Sequence, residues 1–93
     1  MGNYFTYITS NPGRTSLYVG MSNDLDRRIS EHFENRGNSK SFTGRYHCYE
    51  LIYYERHPYA KMVIDREKEI KKMSRKAKEA LIATMNPSWK TLR

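Results

Sequence analysis

Two short segments rich in β-branched and aromatic residues, separated by strong turn chemistry, most constrain how this chain can fold. Residues 4–9 and 16–20 favour extended strands, because such side chains suit a pleated surface. Residues 10–15 between them contain an Asn-Pro-Gly sequence that is typical of a turn. The sequence therefore predicts an antiparallel β-hairpin that opens the fold.

The remaining elements are predicted from periodicity and from helix-ending residues. A stripe of apolar residues at i, i+4 and i+8, starting at Leu25, predicts a helix over residues 24–33. The later elements are an exposed and mobile polar loop over residues 35–47, a third strand over 49–55 and a long helix over 59–85, in which Ser74 can cap a second helix.

The chain has 93 residues, which is enough for one modest hydrophobic core. We therefore predict a single domain over residues 1–93 with an α+β fold. Its small, mainly antiparallel three-stranded sheet would be flanked by helices in the order β-β-α-β-α-α. One cysteine, Cys48, excludes an internal disulfide. No signal peptide or apolar run of membrane-spanning length is found, so we expect a cytoplasmic protein without a membrane association.

The charge balance points to a polyanionic partner. Seventeen lysine and arginine residues against ten acidic ones give a net charge of +7. A small basic domain is attracted to polyanions, among which nucleic acids are the most common. A solvated lysine-rich helix would give the same count, so the charge alone does not decide the function.

Glu67 is out of place on the predicted long helix. On a helical wheel it falls inside the apolar stripe, where a carboxylate is costly unless it is paired, hydrogen-bonded or bound to a metal. A surface ion pair with Lys71, four residues further on, is the alternative, but the wheel favours an inward position. The predicted stripe consists of Ala60, Val63, Ile64, Ile70 and Met73.

Arg28, His32 and two tyrosines are further candidates for a site. Arg28 and His32 lie one helical turn apart, and a planar guanidinium suits phosphate oxygens. An ion pair between Asp24 and Arg28 on a solvated helix is the alternative. Tyr7 and Tyr18 would emerge on one side of the hairpin if the strands pair them, although β-propensity alone also explains tyrosines in strands.

These residues together resemble the GIY-YIG nuclease superfamily. Its Gly-Ile-Tyr motif would fall at residues 5–7, where only Tyr7 is retained, and its Tyr-Ile-Gly motif at residues 18–20. The family arginine, ten residues after the second tyrosine, is Arg28, and the histidine four residues later is His32. The resemblance covers nearly the whole chain.

The later motifs extend the resemblance. The metal-binding glutamate of the family would be Glu67, and the C-terminal asparagine before Pro and Trp would be Asn86. Residues 41–46 look like the loop of the small stand-alone bacterial (YhbQ-like) members, and the family includes the N-terminal nuclease domain of UvrC. Met21 replaces a polar residue found in several active members. This departure and the reduced first motif allow for a weak activity.

The resemblance implies hydrolysis of phosphodiester bonds with one divalent cation, Mg²⁺ (or Mn²⁺), held by Glu67. Arg28 would stabilise the charge on the phosphate. Tyr7 would be the general base, with Tyr18 as the second candidate, and His32 would relay a proton or hydrogen-bond a tyrosine. The expected substrate-binding residues are Gly20, Arg27, Lys40, Arg45, Tyr46, Lys71 and Asn86.

The expected function is therefore a metal-dependent DNA endonuclease, linked to DNA repair or processing. Because the chain has no separate DNA-reading motif, we expect selectivity for DNA structure rather than sequence. One alternative is a non-catalytic nucleic-acid-binding module that retains the nuclease fold. Another is an interaction domain whose basic helix meets an acidic partner, although no obligate protein partner is evident.

Overall fold

The computed structural model describes residues 2–93, and Met1, which the predicted domain of residues 1–93 includes, lies outside the described residues. The strands are β1 (Tyr4–Ser10), β2 (Leu17–Ser22) and β3 (Glu50–His57), and the helices are α1 (Leu25–Glu34), α2 (Phe42–Arg45), α3 (Ala60–Lys71) and α4 (Arg75–Ala83). The strands form one antiparallel sheet in the order β2-β1-β3. The predicted α+β fold and the order β-β-α-β-α-α are confirmed, with the short α2 as an addition before β3.

The predicted hairpin is formed by β1 and β2. Asn11 shapes its loop, because the Asn11 Oδ1 accepts hydrogen bonds of 2.9 Å from two backbone N–H groups. In the strand register Tyr7 lies opposite Gly20, and Thr9 lies opposite Tyr18. Tyr7 and Tyr18 therefore share one face of the sheet as a diagonal pair, which is close enough for two aromatic rings to meet.

A bulge interrupts the pairing of β1 with β3. The register changes between Ile8, which lies opposite Tyr53, and Thr9, which lies opposite Leu51. Ile52 is the extra residue of β3, and a bulge turns the side chains that flank it. Ile52 and Tyr53 consequently join the same hydrophobic cluster, while Leu51 joins another.

The sheet separates two hydrophobic clusters. The larger cluster lies on the side of α3 and α4 and contains Ile8, Val19, Ile52, Tyr53, Ile70 and Ile82. The smaller cluster lies under α1 and contains Tyr7, Ile29 and Leu51, with Tyr18 and Leu25 packed against it. Both candidate tyrosines are therefore on the α1 side of the sheet.

The predicted long helix over residues 59–85 is divided in two. The alternative with a break at Ser74 is correct, because the Ser74 Oγ caps α4 by accepting a 3.1 Å hydrogen bond from the Ala77 N–H. α3 ends at Lys71 and α4 ends at Ala83. Within residues 2–93, no helix combines the length and the apolar character that crossing a membrane requires.

The prediction of an exposed loop over residues 35–47 is wrong in part, because these residues contain α2. The Ser41 Oγ caps this helix by accepting a 3.0 Å hydrogen bond from the Gly44 N–H, and both Thr43 and Gly44 are buried. A Cβ atom at Gly44 would lie 2.7 Å from the Asn35 carbonyl oxygen. Thr43 and Gly44 are buried because they are small enough to pack closely, not because they are hydrophobic.

Candidate active site

Tyr7 and His32 form a buried hydrogen-bonded pair beneath α1. The Tyr7 hydroxyl lies 2.8 Å from the His32 Nε2, and both residues are almost fully buried. Burial, followed by the nearby Tyr18, raises the pKa of Tyr7 to about 12. Burial, followed by the positive charge of Arg28, lowers the pKa of His32 to about 4. Both groups are therefore uncharged at neutral pH.

Because Gly20 has no side chain, the rings of Tyr7 and Tyr18 can pack against its backbone. A Cβ atom at this position would lie 2.5 Å from the Tyr7 hydroxyl oxygen and 2.7 Å from the Tyr18 Cε2. Such distances are shorter than van der Waals contact, so any larger residue would displace a ring. The structure thus gives Gly20, which was predicted to bind substrate, a packing role in the site.

Tyr18 and Arg28 connect the buried pair to the surface. The Tyr18 ring is partly exposed and meets the His32 ring edge-to-face, with 5.6 Å between the ring centroids. The Arg28 side chain is 42% exposed and forms a 3.1 Å ion pair with Glu31, not the alternative pair with Asp24. The nearby Arg28 guanidinium opposes the rise in the pKa of Tyr7.

Glu67 lies on α3, which packs on the other side of the sheet from α1. Its side chain is only 17% exposed, and its carboxylate lies 3.3 Å from the ammonium of Lys71, which is half exposed. The negative charge of Glu67 is the weakest of the named causes that raise the pKa of Tyr7, so the carboxylate acts on the phenol through its charge rather than by direct contact. Glu67 is therefore both inward-facing, as the wheel predicted, and paired with Lys71, as the alternative proposed.

The apolar stripe that was predicted around Glu67 is wider than the one observed. Val63 and Ile70 are buried, whereas Ala60 is exposed and Ile64 is 38% exposed. A sheet of three strands offers a narrow surface, and α3 rests on it along a single line of side chains. Glu67 lies beside that line, where part of its carboxylate remains accessible to a ligand.

The other predicted binding residues are distributed unequally around this cluster. Arg27, Lys40 and Arg45 are exposed, and the Tyr46 ring is 43% exposed. Asn86 is buried, and its side-chain amide donates hydrogen bonds to the carbonyl oxygens of Ile52 and Lys90 at 3.0 and 2.6 Å. The structure gives Asn86 the role of fixing the C-terminal turn.

Two residues near the site were missed in the sequence. Glu31 pairs with Arg28. The Phe42 ring on α2 lies between those of Tyr18 and Tyr46, tilted to both, with centroid distances of 6.1 and 4.7 Å. The spacing i, i+4 of Phe42 and Tyr46 was a signal of shared helical position. The polar residues around this pair favour a loop and mask that spacing.

The cluster fits a divalent cation held by one carboxylate. Residues 2–93 contain no group of three or more His, Cys, Asp or Glu side chains arranged to hold a metal. Glu67 is an inward carboxylate whose ion-pair partner is a flexible, half-exposed lysine that can move aside. Mg²⁺ keeps several waters and takes phosphate oxygens as ligands, so a single protein carboxylate is sufficient.

His32 also makes the free energy of unfolding depend on pH. The unfolded chain protonates this imidazole below about pH 6.5, whereas the folded protein resists protonation until about pH 4. The unfolded state then binds more protons, so stability falls as the pH decreases through this window. We expect His32 to account for a loss of about 2 kcal/mol between pH 7 and 4.5, measured by urea unfolding.

The control for this expectation is a His32→Gln variant, which has no titrating imidazole. Its free energy of unfolding should change less between pH 7 and 4.5 than that of the parent chain, whatever its stability at pH 7. Equal pH slopes for the two chains would show that another group is responsible.

Known proteins resemble this chain over nearly its whole length. It matches the family model described as the GIY-YIG catalytic domain over residues 3–80. A UPF0213 protein of Natronomonas pharaonis is 34% identical over 80 residues, which cover 86% of this chain and 91% of that protein. A UPF0213 protein of Staphylococcus aureus is 33% identical over 82 residues, which cover 88% and 96% of the two chains.

A solved structure shows the same likeness. The solution NMR structure of a UPF0213 protein from Bacillus halodurans has a TM-score of 0.59 and 28% sequence identity. The similarity covers 94% of this chain and 89% of that one. The family match over most of the residues agrees with the cluster of Tyr7, Arg28, His32 and Glu67. The chain belongs to the GIY-YIG family of nuclease domains.

Proposed function

We propose that this chain is a divalent-metal-dependent endonuclease that hydrolyses phosphodiester bonds in DNA. The observation that carries the proposal is the buried hydrogen bond between Tyr7 and His32, with the charges of Arg28 and, more weakly, Glu67 acting on Tyr7. Membership of the GIY-YIG family implies a nucleic acid substrate. We further propose selectivity for DNA structure and a cytoplasmic role in DNA repair or processing, since exposed lysines and arginines bind phosphates without reading bases.

Glu67 would hold the cation, and the other residues would act on the phosphate and the attacking water. Bound there, Mg²⁺ (or Mn²⁺) would supply positive charge that stabilises the phosphate and the leaving oxygen. Lys71 would release the Glu67 carboxylate, because their ion pair is partly solvated and contributes little. Lys71 and the exposed lysines Lys68 and Lys72 would then be free to bind neighbouring phosphates.

Arg28 would bind a non-bridging oxygen of the scissile phosphate. In the free protein it is paired with Glu31, with both side chains about 40% exposed. An exposed ion pair of this kind contributes about 0.2–1 kcal/mol, whereas a guanidinium and a phosphate form strong paired hydrogen bonds. A phosphate oxygen would therefore replace Glu31 as the partner of Arg28.

The Tyr7–His32 pair would provide a path for the proton of the attacking water. Tyr7 takes a proton from water as its own hydroxyl proton passes to the neutral Nε2 of His32, 2.8 Å away. The hydroxide attacks phosphorus and the bond to the leaving oxygen breaks. Solvent returns a proton to that oxygen, and His32, whose pKa is about 4, releases the proton it accepted to solvent. Tyr18 is the second candidate for the base, since its ring is partly exposed beside the same imidazole.

The direct test measures cleavage of labelled single-stranded and branched DNA with Mg²⁺, with Mn²⁺ and with a chelator. We expect cleavage only with a metal, and a decrease of about 100- to 1000-fold in the Arg28→Ala variant, because it loses a group that stabilises transition-state charge. Arg56→Ala is the matched control, since Arg56 is an exposed arginine that hydrogen-bonds Asn3 rather than the cluster.

Two outcomes would contradict the nuclease proposal. Salt-sensitive DNA binding without cleavage, over several substrates and with both metals, would establish the alternative of a non-catalytic binding module. Cleavage that is equal in the parent chain and in Arg28→Ala would indicate a contaminating nuclease.

A further inference from the structure

Helix α2 has its small residues inside and its large aromatic residues outside. Thr43 and Gly44 are buried, whereas the side chains of Phe42 and Tyr46 are 49% and 43% exposed. A helix that only filled space would bury its aromatic rings, since each carries the largest hydrophobic gain. The observed orientation leaves two adjacent aromatic side chains nearly half exposed to solvent.

Several contacts fix α2 in this orientation. The Cys48 N–H donates a 2.8 Å hydrogen bond to the Thr43 carbonyl oxygen, and the Gly37 N–H donates one of 2.8 Å to the Gly44 carbonyl oxygen. Gly44 packs so closely on Asn35 that a Cβ atom would not fit. The helix therefore cannot rotate to bury its rings without breaking these contacts. The exposed pair is a preformed surface.

The rings of Phe42 and Tyr46, which we call the aromatic platform, continue directly from the candidate active site. Their centroids are 4.7 Å apart, and Phe42 lies 6.1 Å from Tyr18, which in turn contacts His32. Any flat group that covered the platform would therefore lie beside Tyr18, at the edge of the candidate active site. Lys40, which precedes α2, and Arg45, the last residue of α2, are exposed cations that suit neighbouring phosphate groups.

We infer that the aromatic platform is a nucleobase-binding subsite, on which an unpaired base next to the scissile phosphate stacks. This inference rests on the proposed nuclease function. Nucleobases are flat, and they stack on exposed aromatic rings irrespective of their sequence. A base inside a duplex has both faces covered by its neighbours, so the platform requires a nucleotide that is unpaired or turned out of the helix.

The test measures binding in the presence of a chelator, so that no cleavage is needed. The probes are a short labelled oligothymidylate and a strand with the same phosphates in which abasic sites replace the bases. We expect Phe42→Ala and Tyr46→Ala each to weaken binding of the oligothymidylate by about 5- to 100-fold. Binding of the abasic strand should change little, because its phosphates still meet the same cations.

Matched variants separate stacking from general damage to the protein. Tyr46→Phe keeps a ring and should bind oligothymidylate nearly as the parent chain does. Tyr59→Ala removes a 67% exposed aromatic residue at the start of α3 and should leave binding unchanged. Circular dichroism checks folding, which these exposed positions should alter little.

Other results would overturn the inference. Equal losses for the base-bearing and abasic strands, or no loss for either, would exclude base stacking. If Phe42→Ala instead converted a dimer into a monomer in sedimentation, the platform would be covered by a second copy of the chain. If cleavage required Arg28 but neither cleavage nor binding changed in Phe42→Ala and Tyr46→Ala, the nuclease proposal would stand and the base-binding inference would fail. If binding depended on the bases but no cleavage occurred, only the nuclease proposal would fail.

Discussion

Replacing Glu67 by glutamine is expected to reduce metal-dependent cleavage by at least about 100-fold, because the proposed cation then loses its only protein carboxylate. Glutamine keeps the volume and most of the hydrogen-bonding capacity of the side chain. The pair with Lys71 contributes little to stability, since Lys71 is half exposed. Glu67→Gln also removes a negative charge that raises the pKa of Tyr7, so a second readout is needed to separate loss of the metal ligand from a change in the proposed base.

A metal titration gives this experiment a second readout. Amide resonances around Glu67 should shift when Mg²⁺ is added to the parent chain, and these shifts should be absent in Glu67→Gln. Asp65→Asn is the control, because Asp65 is a carboxylate on the same helix that is 60% exposed and paired with Lys61. Full Mg²⁺-dependent cleavage by Glu67→Gln would exclude this residue as the metal ligand.

Replacing Tyr7 by phenylalanine is expected to lower the cleavage rate by about 100- to 10,000-fold, which is the usual contribution of a general base. The ring and its contacts with Tyr18 and Gly20 remain, so the site keeps its shape. The His32 Nε2 loses its hydrogen-bond partner in a buried position, which should cost about 1–3 kcal/mol in the free energy of unfolding. The loss of rate should appear in kcat, measured at saturating DNA.

Tyr18→Phe distinguishes the two tyrosines. Tyr18 is partly exposed and, within residues 2–93, its hydroxyl makes no hydrogen bond to the protein, so the variant should fold and cleave with a smaller decrease than Tyr7→Phe. A larger decrease for Tyr18→Phe would assign the base to Tyr18 and leave Tyr7 with a structural role.

The sequence contained enough information to predict the hairpin half of the site. The alternation of side chains in a strand places Tyr7 and Tyr18 on one face, and helical spacing places Arg28 and His32 together. The hydrogen bond between Tyr7 and His32 agrees with the role expected for that histidine. Periodicity was a sufficient guide here, because each of these residues is positioned by a regular element.

The remaining features depend on tertiary packing, which periodicity does not describe. The helical wheel correctly predicts that Glu67 faces inward. It does not predict how wide the apolar stripe of α3 is, because that width depends on how many strands the helix covers. In α2 the small and polar residues Thr43 and Gly44 are buried while the aromatic residues are exposed, which is the opposite of the usual pattern. Hydropathy therefore predicts an exposed loop for this segment. Asn86 was assigned to substrate from the family pattern alone, whereas its hydrogen bonds to Ile52 and Lys90 are visible only in three dimensions.

The division of the hydrophobic interior by the sheet affects how the protein loses its site on heating. Arg28 and His32 rest on the smaller cluster through α1, while Glu67 rests on the larger cluster through α3. Segments that bury fewer apolar side chains detach at a lower free energy than global unfolding requires. Local detachment of α1 is therefore the least costly way to separate the guanidinium from the carboxylate. Thermal inactivation would precede melting of the β-sheet, and the upper working temperature would be set by the packing of one ten-residue helix.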